Sequence, residues 1–105
     1  MNVHHPGERA PWLIDVTREL DRQREAYGDR SALPDGTGQD TFREMAEQAG
    51  QVRRSKAEQG SLAWRHILSE GVFTAFAESD PAKLRGYLVE VAAAAVAWME
   101  ALDCR

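Results

Sequence analysis

With 105 residues this chain has material for one domain with a modest core, only marginally stable as a lone monomer. Its 13 Lys and Arg are interspersed among 17 Asp and Glu, for a net charge of −4, so no basic stripe points to nucleic acid. A single cysteine, Cys104, excludes an internal disulfide framework and a Cys-based zinc site, and fits a reducing cytoplasm.

The first seven residues lack the apolar stretch of a secretory signal, and the longest apolar run, Val91 to Met99, is too short to span a bilayer. These features predict a soluble cytoplasmic protein with neither a nucleic-acid nor a membrane partner.

Residues 1–10 show no periodicity and are expected to form a flexible tail, with residues 11–105 forming a single helical domain. His4-His5 in such a tail is more often incidental than metal-binding. The first helix is expected from Pro11, a residue favoured in a first helical turn, and its apolar positions Leu13, Val16, Leu20 and Tyr27 recur at helical spacing up to Gly28. Asp29 to Gly38 is a loop rich in Gly, Pro and Asp.

A second helix is expected over Thr41 to Glu58, with Asp40 as its cap and Phe42, Met45, Ala46, Ala49 and Val52 facing inward. The cluster Arg53-Arg54-Ser55-Lys56 reads as a solvated helix face. Gly60 closes this helix and Ser61 is placed to cap a third, running from Trp64 to Glu78. Ser79-Asp80-Pro81 is a stop and restart into a fourth helix, Pro81 to Asp103. Its segment Val91 to Trp98 is small-sided nearly all round, which predicts a central helix able to meet a symmetry mate. Nothing alternates with period two. The expected fold is an all-α, antiparallel four-helix bundle joined by short connections.

Three segments resemble a MazG-like family of all-α nucleotide pyrophosphohydrolases, of the type common in actinobacteria and their phages. They are Asp21-Arg-Gln-Arg-Glu-Ala-Tyr-Gly28 with Leu33-Pro-Asp-Gly-Thr-Gly38; Leu62-Ala-Trp-Arg-His-Ile-Leu68; and Phe76-Ala-Glu-Ser-Asp-Pro-Ala-Lys-Leu-Arg85 leading into Val91 to Asp103. The resemblance implies a dimeric or tetrameric assembly that holds Mg²⁺ and cleaves a nucleoside triphosphate to monophosphate and pyrophosphate.

Such chemistry needs several carboxylates, because Mg²⁺ demands octahedral oxygen ligation and the substrate phosphates supply only part of it. The family's Glu-Glu-x-x-Glu motif aligns with Glu70-Gly71-Val72-Phe73-Thr74, and its Glu-x-x-Asp motif with Tyr87-Leu88-Val89-Glu90. Glu70 remains and Glu90 replaces an Asp; Gly71, Thr74 and Tyr87 stand where carboxylates belong. On helix three, a core face of Trp64, Leu68, Val72 and Ala75 puts Gly71 near its centre, Thr74 to one side and Glu70 further out. On helix four, a face of Leu84, Leu88, Val91, Ala95 and Leu102 has Tyr87 at its border and Glu90 further round. The charges that remain are therefore expected at the periphery.

For Gly71, which costs about 1 kcal/mol against Ala in a helix interior, two readings stand: close helix packing or drift, and room for a ligand beside Phe73, Thr74 and Tyr87. His66, Glu70 and Thr74 form an i, i+4, i+8 row in which a His–Glu pair can tune a general base, although an exposed ion pair is the plainer reading. Tyr87 can donate a hydrogen bond to a ligand, or simply pack its ring. Asp15 and Glu19 are candidates to face the pocket from helix one, or ordinary exposed charges. Trp12, Trp64 and Trp98 read as packing residues.

The leading expectation is a divergent MazG-like homodimer that has lost metal-dependent hydrolysis. Its inter-helix pocket would hold another small organic molecule, by binding or by metal-independent catalysis through Tyr87, His66, Glu70 or Glu90. No cofactor is then expected. One alternative is a weakened pyrophosphohydrolase with Mg²⁺ on Glu70 and Glu90; the other is a non-catalytic interaction module.

Overall fold

The computed structural model describes residues 10–105, and among these the chain is all-α, with four helices and no strand. They are α1 (Ala10–Tyr27), α2 (Asp40–Glu58), α3 (Trp64–Phe76) and α4 (Pro81–Asp103). The expected N-terminal tail, with His4-His5, lies outside the described residues apart from Ala10, which opens α1. The chain divides into two compact units, Met1–Pro34 with Met99–Arg105, and Asp35–Trp98.

In the first unit Gly28 ends α1 in the left-handed region (φ 72°), its N–H donating to the Arg24 carbonyl at 2.8 Å. Trp12 Nε1 donates to Asp103 Oδ2 at 2.6 Å, tying α1 to the last turn of α4. None of the described side chains of this unit is buried, and Leu13, Ile14, Val16, Leu20 and Tyr27 of α1 stay between 43% and 62% exposed.

The second unit holds every buried residue among those described: Gly50, His66, Ala75 and Leu84. The α2–α3 turn fixes its geometry. Gly60 (φ 71°) donates to the Ala57 carbonyl at 3.1 Å and Ser61 to the Lys56 carbonyl at 2.9 Å, a reciprocal closure of the α2 C-terminus. Ser61 does not cap α3, whose N-cap is Ala63. Similarly α2 starts one residue earlier than expected. Gln39 is its N-cap without a side-chain bond, and the Asp40 carboxylate instead accepts from Arg43 Nη1 at 2.8 Å.

α3 ends at Phe76, two residues short of expectation, and carbonyls at and just beyond its end are taken by Thr37 and Gly38. Gly38 N–H donates to the Phe76 carbonyl at 2.9 Å and Thr37 Oγ1 to the Glu78 carbonyl at 2.6 Å. Gly38 has φ 96°, and a Cβ there would meet Ser79 Cβ at 3.0 Å, so only glycine suits this strap. Asp80 caps α4 as expected, its Oδ2 accepting from the Lys83 N–H at 3.1 Å.

α2 and α3 pack antiparallel: Phe42 meets the Phe76 ring edge-on at a centroid distance of 5.3 Å, while Arg53 reaches Glu70. The face that α2 turns to α3 runs through Phe42, Ala46, Gly50 and Arg53. Val52 lies off that face and is 46% exposed, contrary to expectation.

α4 departs from expectation in the same way. Its side toward α3 carries Tyr87, Val91 and Ala94, rotated by roughly 60° from the expected face at ~100° per residue. Leu84 is buried, but Leu88 and Leu102 are each 50% exposed, and Ala92 and Ala93 are exposed as well. Within the described chain, α4 is therefore not enclosed on all sides.

Candidate functional site

The rotation of α4 brings together more of the aligned motif positions than the sequence predicts. Glu70, Gly71 and Thr74 of α3 line one cleft with Glu90, Val91 and Ala94 of α4, joined by Ile67 and by Arg53 from α2; its volume is about 300 Å³. Glu70 and Glu90 thus both line the cleft. Glu90 is exposed at the rim, whereas Glu70 is drawn in, with 28% of its side-chain surface left accessible.

Arg53 is the residue that sequence reasoning missed, having been assigned to a solvated face. Its Nη1 donates to Glu70 Oε2 at 3.2 Å. A signal for it did exist: Arg53 and Glu70 stand at nearly equal distances along the chain from the Gly60–Ala63 turn, so an antiparallel pair of helices places them opposite each other. On the other side of Glu70, its Oε1 would lie 3.5 Å from a Cβ at Gly50. The Glu70 carboxylate is therefore held against α2.

Gly71 supports the close-packing reading, since a Cβ there would meet Val91 Cγ2 at 3.3 Å. Thr74 lies between two concavities. One is the cleft with Glu70 and Glu90; the other, about 230 Å³, is shared with Arg43, Ala46, Ala77, Glu78 and the half-buried Tyr87. Tyr87 is thus a neighbour of Thr74 but does not line the cleft with the two carboxylates. Phe73 lines neither. It joins an aromatic cluster, edge-on to Phe76 with centroids 6.3 Å apart.

The structure gives His66 a different setting from the exposed row expected for it. It is 5% exposed, and its Nδ1 accepts the Ala63 N–H at 2.9 Å. Glu70, four residues on, is paired with Arg53 instead.

In the first unit, Asp15 and Glu19 line a groove of about 440 Å³ with Val16, Leu20, Gln23 and Met99. Glu19 is fully engaged within its own helix. It accepts from Arg22 Nε and Nη2, both at 2.7 Å, and from Gln23 Nε2 at 2.9 Å. Arg22 first, and then Gln23, hold its carboxyl down at about 2.

The donor set does not fit the Mg²⁺ that the family resemblance implies. Octahedral ligation needs several unencumbered oxygens, and the cleft offers an Arg-paired Glu70, a rim Glu90 and the Thr74 hydroxyl. No group of three or more His, Cys, Asp or Glu side chains among the described residues is placed to hold a metal ion. The cleft sets the apolar side chains of Ile67, Val91 and Ala94 beside polar atoms of Arg53, Thr74 and Glu90. No described helix is long and apolar enough to cross a membrane. Comparison with protein-family models, curated proteins and solved structures finds no match to this chain.

Proposed function

We propose that this chain is a divergent MazG-like protein that has lost metal-dependent nucleotide hydrolysis and uses the α3–α4 cleft for a small organic molecule. The observation that carries this reading is the Arg53–Glu70 ion pair. A guanidinium on the one carboxylate retained in the first aligned motif neutralises the charge that a divalent cation would need. Around it the cleft has an apolar wall and only Thr74 and Glu90 as further polar groups. Such a lining suits binding, or a metal-independent proton transfer through Glu90, better than it suits pyrophosphate chemistry.

The protein acts as a homodimer in this reading, with the four helices completing an antiparallel bundle through a second copy. The support is the row Leu13, Val16, Leu20 on α1, with Leu88 and Leu102 on α4, all at least 43% exposed in the single chain. An apolar helix face left in water costs about 25 cal/mol per Å² that a partner would recover. Light scattering is expected to give about twice the 11.7 kDa chain mass; a monomer at micromolar concentration would remove this part of the proposal.

The functional test is pyrophosphate release from a panel of nucleoside triphosphates with Mg²⁺ or Mn²⁺. The expected result is no release above the enzyme-free control. Metal-dependent release that disappears in Glu70→Gln would overturn the proposal in favour of the hydrolase of the family.

A further inference from the structure

His66 is the only buried ionisable side chain among the described residues, and the cleft does not use it. It occupies the third position of α3, where its ring does what a side-chain cap ordinarily does. The N-cap, Ala63, has no side-chain acceptor of its own; the reciprocal half remains, with Nδ1 accepting the Ala63 N–H at 2.9 Å. Accepting at Nδ1 requires that nitrogen to be unprotonated, so the neutral ring carries its hydrogen on Nε2. Nε2 is buried without a hydrogen-bond partner. The charges that act on the ring are Arg65 of α3 and Lys56 of α2, both cations. No carboxylate compensates.

We propose that His66 is an acid-sensitive latch on the α2–α3 junction: protonation at Nδ1 breaks its bond to Ala63 and opens the first turn of α3. An imidazolium has two donors and no acceptor, so it faces the Ala63 N–H as donor against donor. It is also a cation buried beside two others, and the way out is for the ring to swing to water. The adjacent residue, Ile67, lines the cleft, so the latch sits one residue from the proposed binding site, although the inference does not depend on any ligand.

Burial, then Arg65, then Lys56 push the His66 pKa below its ordinary 6.5. The unfolded chain therefore binds more protons than the folded one as pH falls below 6.5. The stability contributed by the neutral ring is full above that value and is lost as pH drops through the folded pKa.

The test is urea unfolding of wild type and His66→Gln from about pH 7.5 to 5. Gln at this position keeps an acceptor for the Ala63 N–H, as in ordinary capping boxes, but does not titrate. Relative to the variant, the wild-type unfolding constant is expected to rise with acid, approaching about tenfold per pH unit below 6.5. Parallel curves for the two proteins would overturn the proposal; His4, His5 and the carboxylates are common to both. If His66→Gln does not fold, NMR on the wild type decides. A His66 midpoint below 6.5, with Ala63 amide protection lost over the same range, upholds the latch. A midpoint at or above 6.5, or protection that persists through the titration, overturns it.

Discussion

Leu84→Ala is expected to lower the free energy of unfolding by about 2–5 kcal/mol, the usual cost of emptying a buried leucine site. Leu84 is 8% exposed, and the other buried apolar side chain, Ala75, is small. It lies in the first turn of α4, directly after the Asp80 cap, with its N–H on the Asp80 carbonyl at 2.9 Å. Leu84 is thus the one large apolar side chain that is buried among the described residues. Against a total stability of about 5–15 kcal/mol, the loss is large. Leu84→Met, which conserves volume, is expected to cost under about 1.5 kcal/mol. Urea unfolding at a fixed protein concentration measures both. A Leu84→Ala cost below about 1 kcal/mol would mean that the site collapses or that Leu84 is not core.

The helices were legible because their punctuation is local. Pro11, Gly28, Gly60 and Asp80-Pro81 act through φ, capping and the missing proline N–H, all of which follow from residue type. Of the two capping errors one has a local cause, the Asp40 carboxylate accepting from Arg43 one turn on; in the other, the N-cap of α3 falls beyond Ser61, at Ala63. Faces were less legible than boundaries. Apolar periodicity put Leu88 and Val52 inward, whereas helix contact is decided by what the neighbouring helix presents: Val91 meets α3 at Gly71, with Tyr87 and Ala94 on the same side of α4. His66 was read into an exposed row, and its burial missed, for a related reason. A polar residue at the third position of a helix reads as surface unless the N-cap's lack of an acceptor is weighed.

Of the candidate site, Glu70, Gly71, Thr74 and Glu90 are gathered in one cleft, yet the group that defines its charge, Arg53, sits 17 residues from Glu70. Arg53→Ala is expected to tighten divalent-cation binding roughly tenfold, while the wild type binds Mn²⁺ more weakly than about 1 mM. Removing a cation 3.2 Å from Glu70 leaves two unpaired carboxylates on one cleft. The full Coulomb energy at that distance would predict a larger change, but Arg53 is 46% accessible and solvent screens the pair. For the same reason the stability cost of the substitution is at most about 1 kcal/mol, so the variant stays folded. Arg53→Lys keeps the charge and is expected to bind like the wild type. Adding Glu70→Gln to Arg53→Ala is expected to cancel the gain, because the released carboxylate is what the cation uses. A Mn²⁺ titration followed by water proton relaxation reads all four proteins. Micromolar binding by the wild type would show that the ion pair yields to metal and that the cleft is still a cation site. An unchanged Arg53→Ala would show that the missing oxygens at Gly71, Thr74 and Tyr87, rather than the guanidinium, are what exclude the metal.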